Sequence, residues 1–95
     1  MYASVRKYRV EPEHVAELMS RVEQIFAPKI AAAPGFASYQ AIDCGNGIVI
    51  TVSSFADEAG ADASAKAAAE FVTEGLADLK VDRLEAAAGE VSVSR

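Results

Sequence analysis

Residues 36–55 read FASYQAIDCGNGIVITVSSF, and this stretch decides the fold. Two runs rich in β-branched and aromatic residues flank a turn that contains Asn46-Gly47. Asn and Gly both tolerate a positive φ angle, so this pair between two such runs is a strong local signal for a β-hairpin. The sequence therefore predicts two antiparallel strands here, with one strand-and-helix segment on each side of them.

The segment before the hairpin predicts a strand followed by a helix. Residues 2–10 are rich in tyrosine and valine, and Glu11-Pro12-Glu13 has the composition of a helix N-terminus. Pro28 predicts a kink or a loosened last turn, and Pro34-Gly35 ends the segment. The apolar residues of the helix recur at spacings of three and four, which indicates one buried face; they are Val15, Leu18, Met19, Val22, Ile25, Phe26 and Ile30.

The segment after the hairpin predicts a second helix and a final strand. Asp57 is a suitable N-cap, and Gly60 is expected to separate a short first turn from the main helix. Gly75 predicts a close contact or a break before a last short turn. Residues 80–88 show no period and are interpreted as a connection, while the alternation in residues 90–94 predicts a short strand. The apolar stripe of the second helix comprises Ala61, Ala65, Ala68, Val72, Leu76 and Leu79, with Phe71 alongside.

Charged residues on the two helices have simpler interpretations. Glu17 and Arg21 have the spacing of a favourable ion pair on one helix face. Glu70, Glu74 and Asp78 form an acidic row that is typical of a solvated helix face. Neither group predicts a catalytic site.

The predicted element order is β-α-β-β-α-β, the split βαβ or ferredoxin-like arrangement of the α+β class. It places a four-stranded antiparallel sheet against two helices on one face. Such a sheet needs only one apolar face, the one that packs on the helices. If the second face is apolar as well, another copy of the chain is expected to cover it. This expectation rests on the third strand, where both faces are apolar: Ile48, Ile50 and Val52 alternate with Val49, Thr51 and Phe55.

Composition fits a single domain over residues 1–95 and argues against several classes of function. The chain is 52% hydrophobic and 24% charged, which is typical of a globular protein, and its net charge of −5 disfavours binding to nucleic acid or to an anionic membrane. The one cysteine, Cys44, rules out an internal disulfide bond, and one cysteine with one histidine argues against a metal site. The N-terminus lacks the apolar core of a signal peptide, and no run approaches the roughly 18 apolar residues of a membrane span, so a cytoplasmic location is expected.

Three motifs in a fixed order point to a family. They are Pro34-Gly35-Phe36, the turn at 43–47, and the segment FADEAGA at 55–61. With them the chain resembles, over nearly its whole length, the antibiotic biosynthesis monooxygenase-like domains of the dimeric α+β barrel superfamily. The resemblance implies a homodimer in which two sheets pack face to face. It also implies either a cofactor-free oxygenase of an aromatic or quinol compound, or a small-molecule-binding or stress-related domain without activity.

Haem degradation, which also occurs in that superfamily, is disfavoured. The haem degraders resemble one another in a helical histidine ligand, an asparagine and a tryptophan. This chain has no tryptophan, and its only asparagine lies in the hairpin turn.

A cofactor-free oxygenase needs a base or hydrogen-bond partner beside a dry apolar cavity. His14 is the one residue that ordinarily titrates near neutral pH, and we predict it as a catalytic residue together with Tyr8. A solvated or capping histidine is the alternative. Arg6 shares a strand face with Tyr8, so the two could hold a phenolate or a carboxylate, or pack at a sheet edge.

The substrate cavity is expected between the second helix and the sheet, with a volume of roughly 300 Å³ or more. Tyr39 is either a pocket wall with a polar tip or a core aromatic residue. Ala65, Ala69 and Phe71 are predicted to line the substrate site, although alanines also simply allow a helix and a sheet to approach closely. Asp43 is expected to cap the hairpin turn through backbone amides.

Overall fold

A computed structural model describes residues 1–95 and shows a four-stranded antiparallel sheet with helices on one face. The strands are β1 (Tyr2–Arg9), β2 (Phe36–Asp43), β3 (Ile48–Phe55) and β4 (Asp82–Glu90). Their order in the sheet is β2-β3-β1-β4, with every neighbouring pair antiparallel. The predicted ferredoxin-like β-α-β-β-α-β arrangement is therefore confirmed.

The helices fall into two regions, one before the hairpin and one after it. The first has a short 3₁₀ turn at Pro12–His14, then α1 (Val15–Arg21), a wide π turn at Val22–Phe26, and α2 (Ala27–Ala31). The second has α3 (Glu58–Glu70), a π turn at Phe71–Gly75 and a 3₁₀ turn at Ala77–Leu79. None of these helices has the length and apolar character needed to span a membrane.

Pro28 loosens the first helical region, but the effect lies before the proline. The π turn at Val22–Phe26 directly precedes α2, and α2 itself is regular α-helix with Pro28 near its start. Proline cannot donate the backbone hydrogen bond of a normal α-turn, and a wider turn upstream accommodates that loss. The predicted loosening thus occurs, although not in the last turn.

The hairpin loop matches its sequence signal. Asn46 and Gly47 have φ angles of 56° and 79°, and the amide of Cys44 donates to the carbonyl of Ile48 at 2.9 Å. A Cβ atom on Gly47 would clash with the carbonyl oxygen of Val10, so only glycine fits where this loop crosses the end of β1. Asp43 caps the turn as predicted, because its Oδ1 accepts from the amide of Gly45 at 2.9 Å.

Three residues of the second helical region, Asp57, Gly60 and Gly75, were assigned structural roles from the sequence. Asp57 is the N-cap of α3, and its Oδ1 accepts from the amide of Gly60 at 2.9 Å. The break expected at Gly60 is wrong, because α3 continues through it and a Cβ there would lie 3.0 Å from the Phe55 ring. Gly60 therefore serves a close contact with β3. At Gly75 both expectations hold, since the π turn ends at this residue and a Cβ there would lie 2.9 Å from the ring of Phe71.

The final strand lies earlier than predicted. Residues 82–90 form β4, whereas residues 91–95 are outside regular structure. The interpretation of residues 80–88 as a connection is wrong, since most of them belong to β4. Their alanines and charged residues show no apolar alternation, so the sequence does not mark the strand. Backbone pairing to β1 holds it in the sheet. Tyr2 pairs with Glu90, so β1 has almost no backbone left to pair with residues beyond 90; only Val91 donates, to the carbonyl of Met1 at 2.9 Å.

An ion pair joins the two helical regions. The Arg21 guanidinium contacts Glu17 at 3.0 Å, which confirms the predicted pair, and also donates to both carboxylate oxygens of Asp78 at 2.7 and 2.9 Å. A further bond of 3.1 Å reaches the carbonyl of Gly75. Asp78 is therefore more than part of a solvated row, because it ties the 3₁₀ turn at Ala77–Leu79 to α1.

The core lies between the helices and the inner face of the sheet. Its buried residues form two clusters, one around Leu18 and Val49 and one around Phe26 and Phe55. The opposite, outer face of the sheet carries no helix. Residues on that outer face include Val5 and Ile42, which are 40% and 42% exposed. Strand β3 is apolar on both faces, as predicted.

Candidate active site

A small chamber lies between the helices and the inner face of the sheet. Its volume is about 30 Å³, which is enough for one water molecule. Most of its wall is apolar, and Val22, Phe26 and Phe71 are among the lining residues. Polar groups enter from the sheet side: Arg6, Tyr8, Tyr39, Thr51 and Ser53. The chamber alone is far smaller than the substrate-sized cavity expected from the sequence.

A second space, which we call the outer pocket, adjoins the chamber and opens to solvent. It has a volume of about 300 Å³ and shares Arg6, Tyr8, Val72 and Val81 with the chamber. The remaining lining residues are Ala69, Thr73 and Arg83. The pocket exists because the helices do not cover β4, all nine residues of which are exposed.

The pairing of β1 with β4 brings three polar residues, Arg6, Tyr8 and Arg83, to the outer pocket. Arg6 and Tyr8 are two residues apart on β1 and therefore share its inner face. Tyr8 pairs with Arg83 on β4, next to an irregularity in the ladder between Lys7 and Tyr8. This irregularity shifts the register and leaves Arg83 on the same side as Arg6 and Tyr8, where all three line the outer pocket.

Burial controls the protonation of the two tyrosines. Burial raises the pKa of Tyr8, and the positive charges of Arg6 and Arg83 partly oppose that rise. Burial, together with the nearby Tyr8, raises the pKa of Tyr39 to about 12, and Arg6 again opposes it. Both hydroxyls are therefore protonated at neutral pH and act as hydrogen-bond donors. Neither is suited to remove a proton from a substrate.

The polar groups of the site have no partners within the protein. The side-chain hydrogen bonds of the structure involve neither tyrosine hydroxyl and neither arginine of the outer pocket. Only Arg21 and the N-terminus form ion pairs. The hydroxyls and guanidinium groups of Tyr8, Tyr39, Arg6 and Arg83 are thus available to a ligand.

The aromatic residues and alanines predicted for the site do not all line the same space. Phe71 lines the chamber and stacks on Phe26 with ring centroids 5.2 Å apart, while Tyr39 meets Phe26 edge-on at 5.6 Å. Tyr39 is thus both a core aromatic residue and a chamber wall. Ala69 lines the outer pocket, whereas Ala65 is half-buried and lines neither space.

His14 does not lie with the other predicted catalytic residue. It lines a separate pocket of about 390 Å³ beside Arg9, Lys80 and Asp82. Its Nδ1 atom is buried without a hydrogen-bond partner. The structure brings Arg6, Tyr8 and Tyr39 together and leaves His14 outside their site.

Three lining residues were not predicted: Val81 and Arg83 lie in the segment interpreted as a connection, and Thr73 lies in the π turn at Phe71–Gly75. No histidine, cysteine, aspartate or glutamate lines the chamber or the outer pocket. No group of three or more such residues is placed to hold a metal ion anywhere in the chain. The site therefore offers hydroxyl and guanidinium donors on an apolar background.

Solved structures share this architecture. A candidate antibiotic biosynthesis monooxygenase from Deinococcus radiodurans superposes with a TM-score of 0.81 at 17% identity, over 100% of this chain and 96% of that one. The fold is that of the antibiotic biosynthesis monooxygenase-like proteins. SnoaB, a cofactor-independent oxygenase from Streptomyces nogalater, shares the fold with a TM-score of 0.68 at 15% identity, over 98% of this chain and 94% of that one.

A third structure with the monooxygenase-like fold is a dimeric ferredoxin-like protein from an uncultured marine organism. It has a TM-score of 0.76 at 10% identity, over 99% of this chain and 96% of that one. No family model matches the sequence, and no curated protein is similar enough to count as a relative. At these identities the comparisons establish the fold alone.

Proposed function

We propose that this chain oxidises a small aromatic hydroxyl compound, a phenol or quinol, with molecular oxygen and without a bound cofactor. The observation that carries the proposal is the set of unpartnered donors, Arg6, Tyr8 and Tyr39, on the wall of a mostly apolar chamber. The same fold in SnoaB, a cofactor-independent oxygenase, supports it.

The donors suit the charge that develops on such a substrate. A phenol becomes an electron-rich phenolate when it loses its proton, and the positive charge of Arg6 together with the Tyr8 hydroxyl would stabilise that anion. The phenolate then reduces oxygen. One oxygen atom enters the ring and the other leaves as water, so that a phenol and one O₂ give a quinone and one water, and a quinol and one O₂ give a hydroxyquinone and one water. All four electrons come from the substrate, and no external reductant is needed.

The two spaces divide the reactants by size. The outer pocket, at about 300 Å³, lies at the lower end of the range for small-molecule sites. The chamber, at about 30 Å³, can admit only a molecule the size of water or oxygen. The substrate ring would therefore occupy the outer pocket with its hydroxyl towards Arg6 and Tyr8, the two polar residues that line both spaces.

The substrate proton must leave to solvent, because no base lines either space. The outer pocket opens to water, which gives the proton a path. His14 faces a different pocket, and we assign no step to it. Catalysis would come from stabilisation of the phenolate and from the apolar chamber wall behind it, which excludes water.

The missing base also favours a second candidate function, a carrier or sensor that binds the same class of compound without oxidising it. Oxygen uptake separates the two. With 1,4-dihydroxynaphthalene as probe, the oxygenase consumes oxygen faster than the buffer does and forms 2-hydroxy-1,4-naphthoquinone and water, whereas autoxidation in buffer gives 1,4-naphthoquinone and hydrogen peroxide. If uptake matches the buffer rate while the probe binds, the chain is a binding protein.

We also propose that a second copy of the chain covers the outer face of the sheet. The register places Val5 opposite Val52 and Ile42 opposite Ile50, so these apolar residues are neighbours on that face. An exposed apolar sheet face of this kind is typical of an interface. The dimeric ferredoxin-like neighbour, which has the same fold, supports this assembly.

A further inference from the structure

The outer pocket is positively charged in a protein that is otherwise acidic. The whole chain carries a net charge of −5, yet Arg6 and Arg83 are the only charged residues that line this pocket. No acidic residue lines the adjoining chamber either. The sign of the pocket is thus opposite to that of the molecule.

The two arginines act on the same place. Arg6 and Arg83 both oppose the rise in the pKa of Tyr8, so both charges lie within electrostatic range of its hydroxyl. Arg6 is half-buried and Arg83 is exposed, and neither forms an ion pair. Two like charges facing one pocket repel each other, and an anion between them would remove that repulsion.

We infer that the ligand of the outer pocket carries a carboxylate in addition to its ring hydroxyl, and that Arg6 and Arg83 bind this carboxylate. Guanidinium groups match the planar geometry of a carboxylate and bind it through paired hydrogen bonds. The Thr73 hydroxyl lines the same pocket and can supply another donor. Ala69, Val72 and Val81 provide the apolar wall for the ring. The inference rests on the proposed function for the location of the ligand and goes beyond it in naming an aromatic hydroxy acid.

The probe pair for the test is 1-hydroxy-2-naphthoate and its methyl ester, which differ in charge and share the ring and hydroxyl. Fluorescence titration of the intact chain gives a dissociation constant for each. We expect the acid to bind at least about tenfold more tightly than the ester, as charge-assisted hydrogen bonds typically contribute. Added salt should weaken binding of the acid and leave the ester unaffected.

Substitutions identify the groups responsible. Arg83→Gln and Arg6→Gln should each reduce the acid-to-ester preference severalfold, with Arg83→Lys retaining part of it. The matched control is Lys7→Gln, which removes one positive charge from the neighbouring residue of β1, on the opposite face of the sheet. This control should keep the full preference. Because Arg83 is exposed at the sheet edge, its variants should keep the fold.

Equal binding of acid and ester would overturn the inference, as would an acid preference that Arg83→Gln and Arg6→Gln leave intact. Failure of the proposed function looks different. An acid preference without oxygen uptake would leave the carboxylate inference standing and remove the oxygenase. Oxidation of a neutral quinol without any preference for the acid would support the oxygenase and remove the carboxylate inference.

Discussion

Tyr8 and Arg83 face each other across the ladder between β1 and β4, and both side chains line the outer pocket. Because the helices leave β4 uncovered, Arg83 is exposed while Tyr8 is only 8% exposed. The pair therefore spans the pocket from its open rim to its buried end. A hydroxyl and a charge arranged in this way can orient an aromatic ring as it enters.

Removing the Tyr8 hydroxyl should impair oxidation without unfolding the chain. Tyr8→Phe keeps the ring and loses the donor, and loss of one such donor to a developing oxyanion typically lowers kcat by about 100-fold. Oxygen uptake with 1,4-dihydroxynaphthalene measures the effect. The control is Tyr2→Phe, because Tyr2 packs against the core cluster around Phe26 and Phe55 and lines neither the chamber nor the outer pocket. Equal rates for both variants would remove Tyr8 from the mechanism.

Tyr39 should make the fold sensitive to alkali. Its pKa is raised from 10.0 to about 12 in the folded chain, so its contribution to stability is fully present below pH 10 and is lost as the pH rises through about 12. Over that window the wild type should lose about 2 kcal/mol more unfolding free energy than Tyr39→Phe does. Urea unfolding at pH 9 and pH 11.5 measures this difference. Parallel losses in the two proteins would show that Tyr39 does not resist ionisation.

The bond between Arg21 and Asp78 should stabilise the fold in a way that acid abolishes. The Arg21 guanidinium holds the pKa of the Asp78 carboxyl below its ordinary value, so this contribution is present above that value and is lost as the pH falls through the lowered one. At neutral pH, Asp78→Asn should lower the urea midpoint modestly. The difference from wild type should shrink in acid.

Asp62→Asn is the matched control for the Asp78 prediction, because Asp62 is an exposed acid of α3 that makes no ion pair. It should leave the midpoint unchanged at either pH. A midpoint for Asp78→Asn that equals this control at neutral pH would mean that the link between α1 and the 3₁₀ turn is energetically neutral, as many exposed ion pairs are.

A charge on the outer sheet face should break the proposed dimer. Light scattering at micromolar concentration should give the wild type twice the chain mass of 10.0 kDa, and Val5→Asp should give the single-chain mass. Val5 is 40% exposed, so the aspartate has access to water in the separate chain and should not unfold it. A wild-type mass of one chain would contradict the dimer, and so would a Val5→Asp protein that remains dimeric and folded.

The sequence predicted those parts of the fold that leave a local pattern. Asn46-Gly47 marked the hairpin, Asp57 marked a helix start, and alternation on β3 showed a sheet with two apolar faces. The missed strand, β4, carries no such pattern because it is an exposed edge strand rich in alanine and charge. Its pairing depends on β1, more than seventy residues away in the chain.

The predictable part of the candidate site lies on β1, on β2 and on the second helical region, where Phe71 lines the chamber and Ala69 lines the outer pocket. Arg6, Tyr8 and Tyr39 follow from strand alternation and do meet at one chamber. Arg83 could not be found, since its position depends on β4 and on a register shift in the ladder. His14 looked suitable by chemistry alone, but the turn at Pro12–His14 places it at another pocket. Residue type suggests chemistry, whereas tertiary pairing decides which residues share a site.

We expect an aromatic hydroxyl compound to bind in the outer pocket, between the second helical region and β4. The most direct test is a map of backbone amide chemical shifts in the labelled chain during titration with 1-hydroxy-2-naphthoate. The largest changes should fall among the residues that line this pocket, including Arg6, Tyr8, Val72, Val81 and Arg83. Changes centred on His14 and Lys80, or on the outer face around Val5 and Ile42, would contradict it.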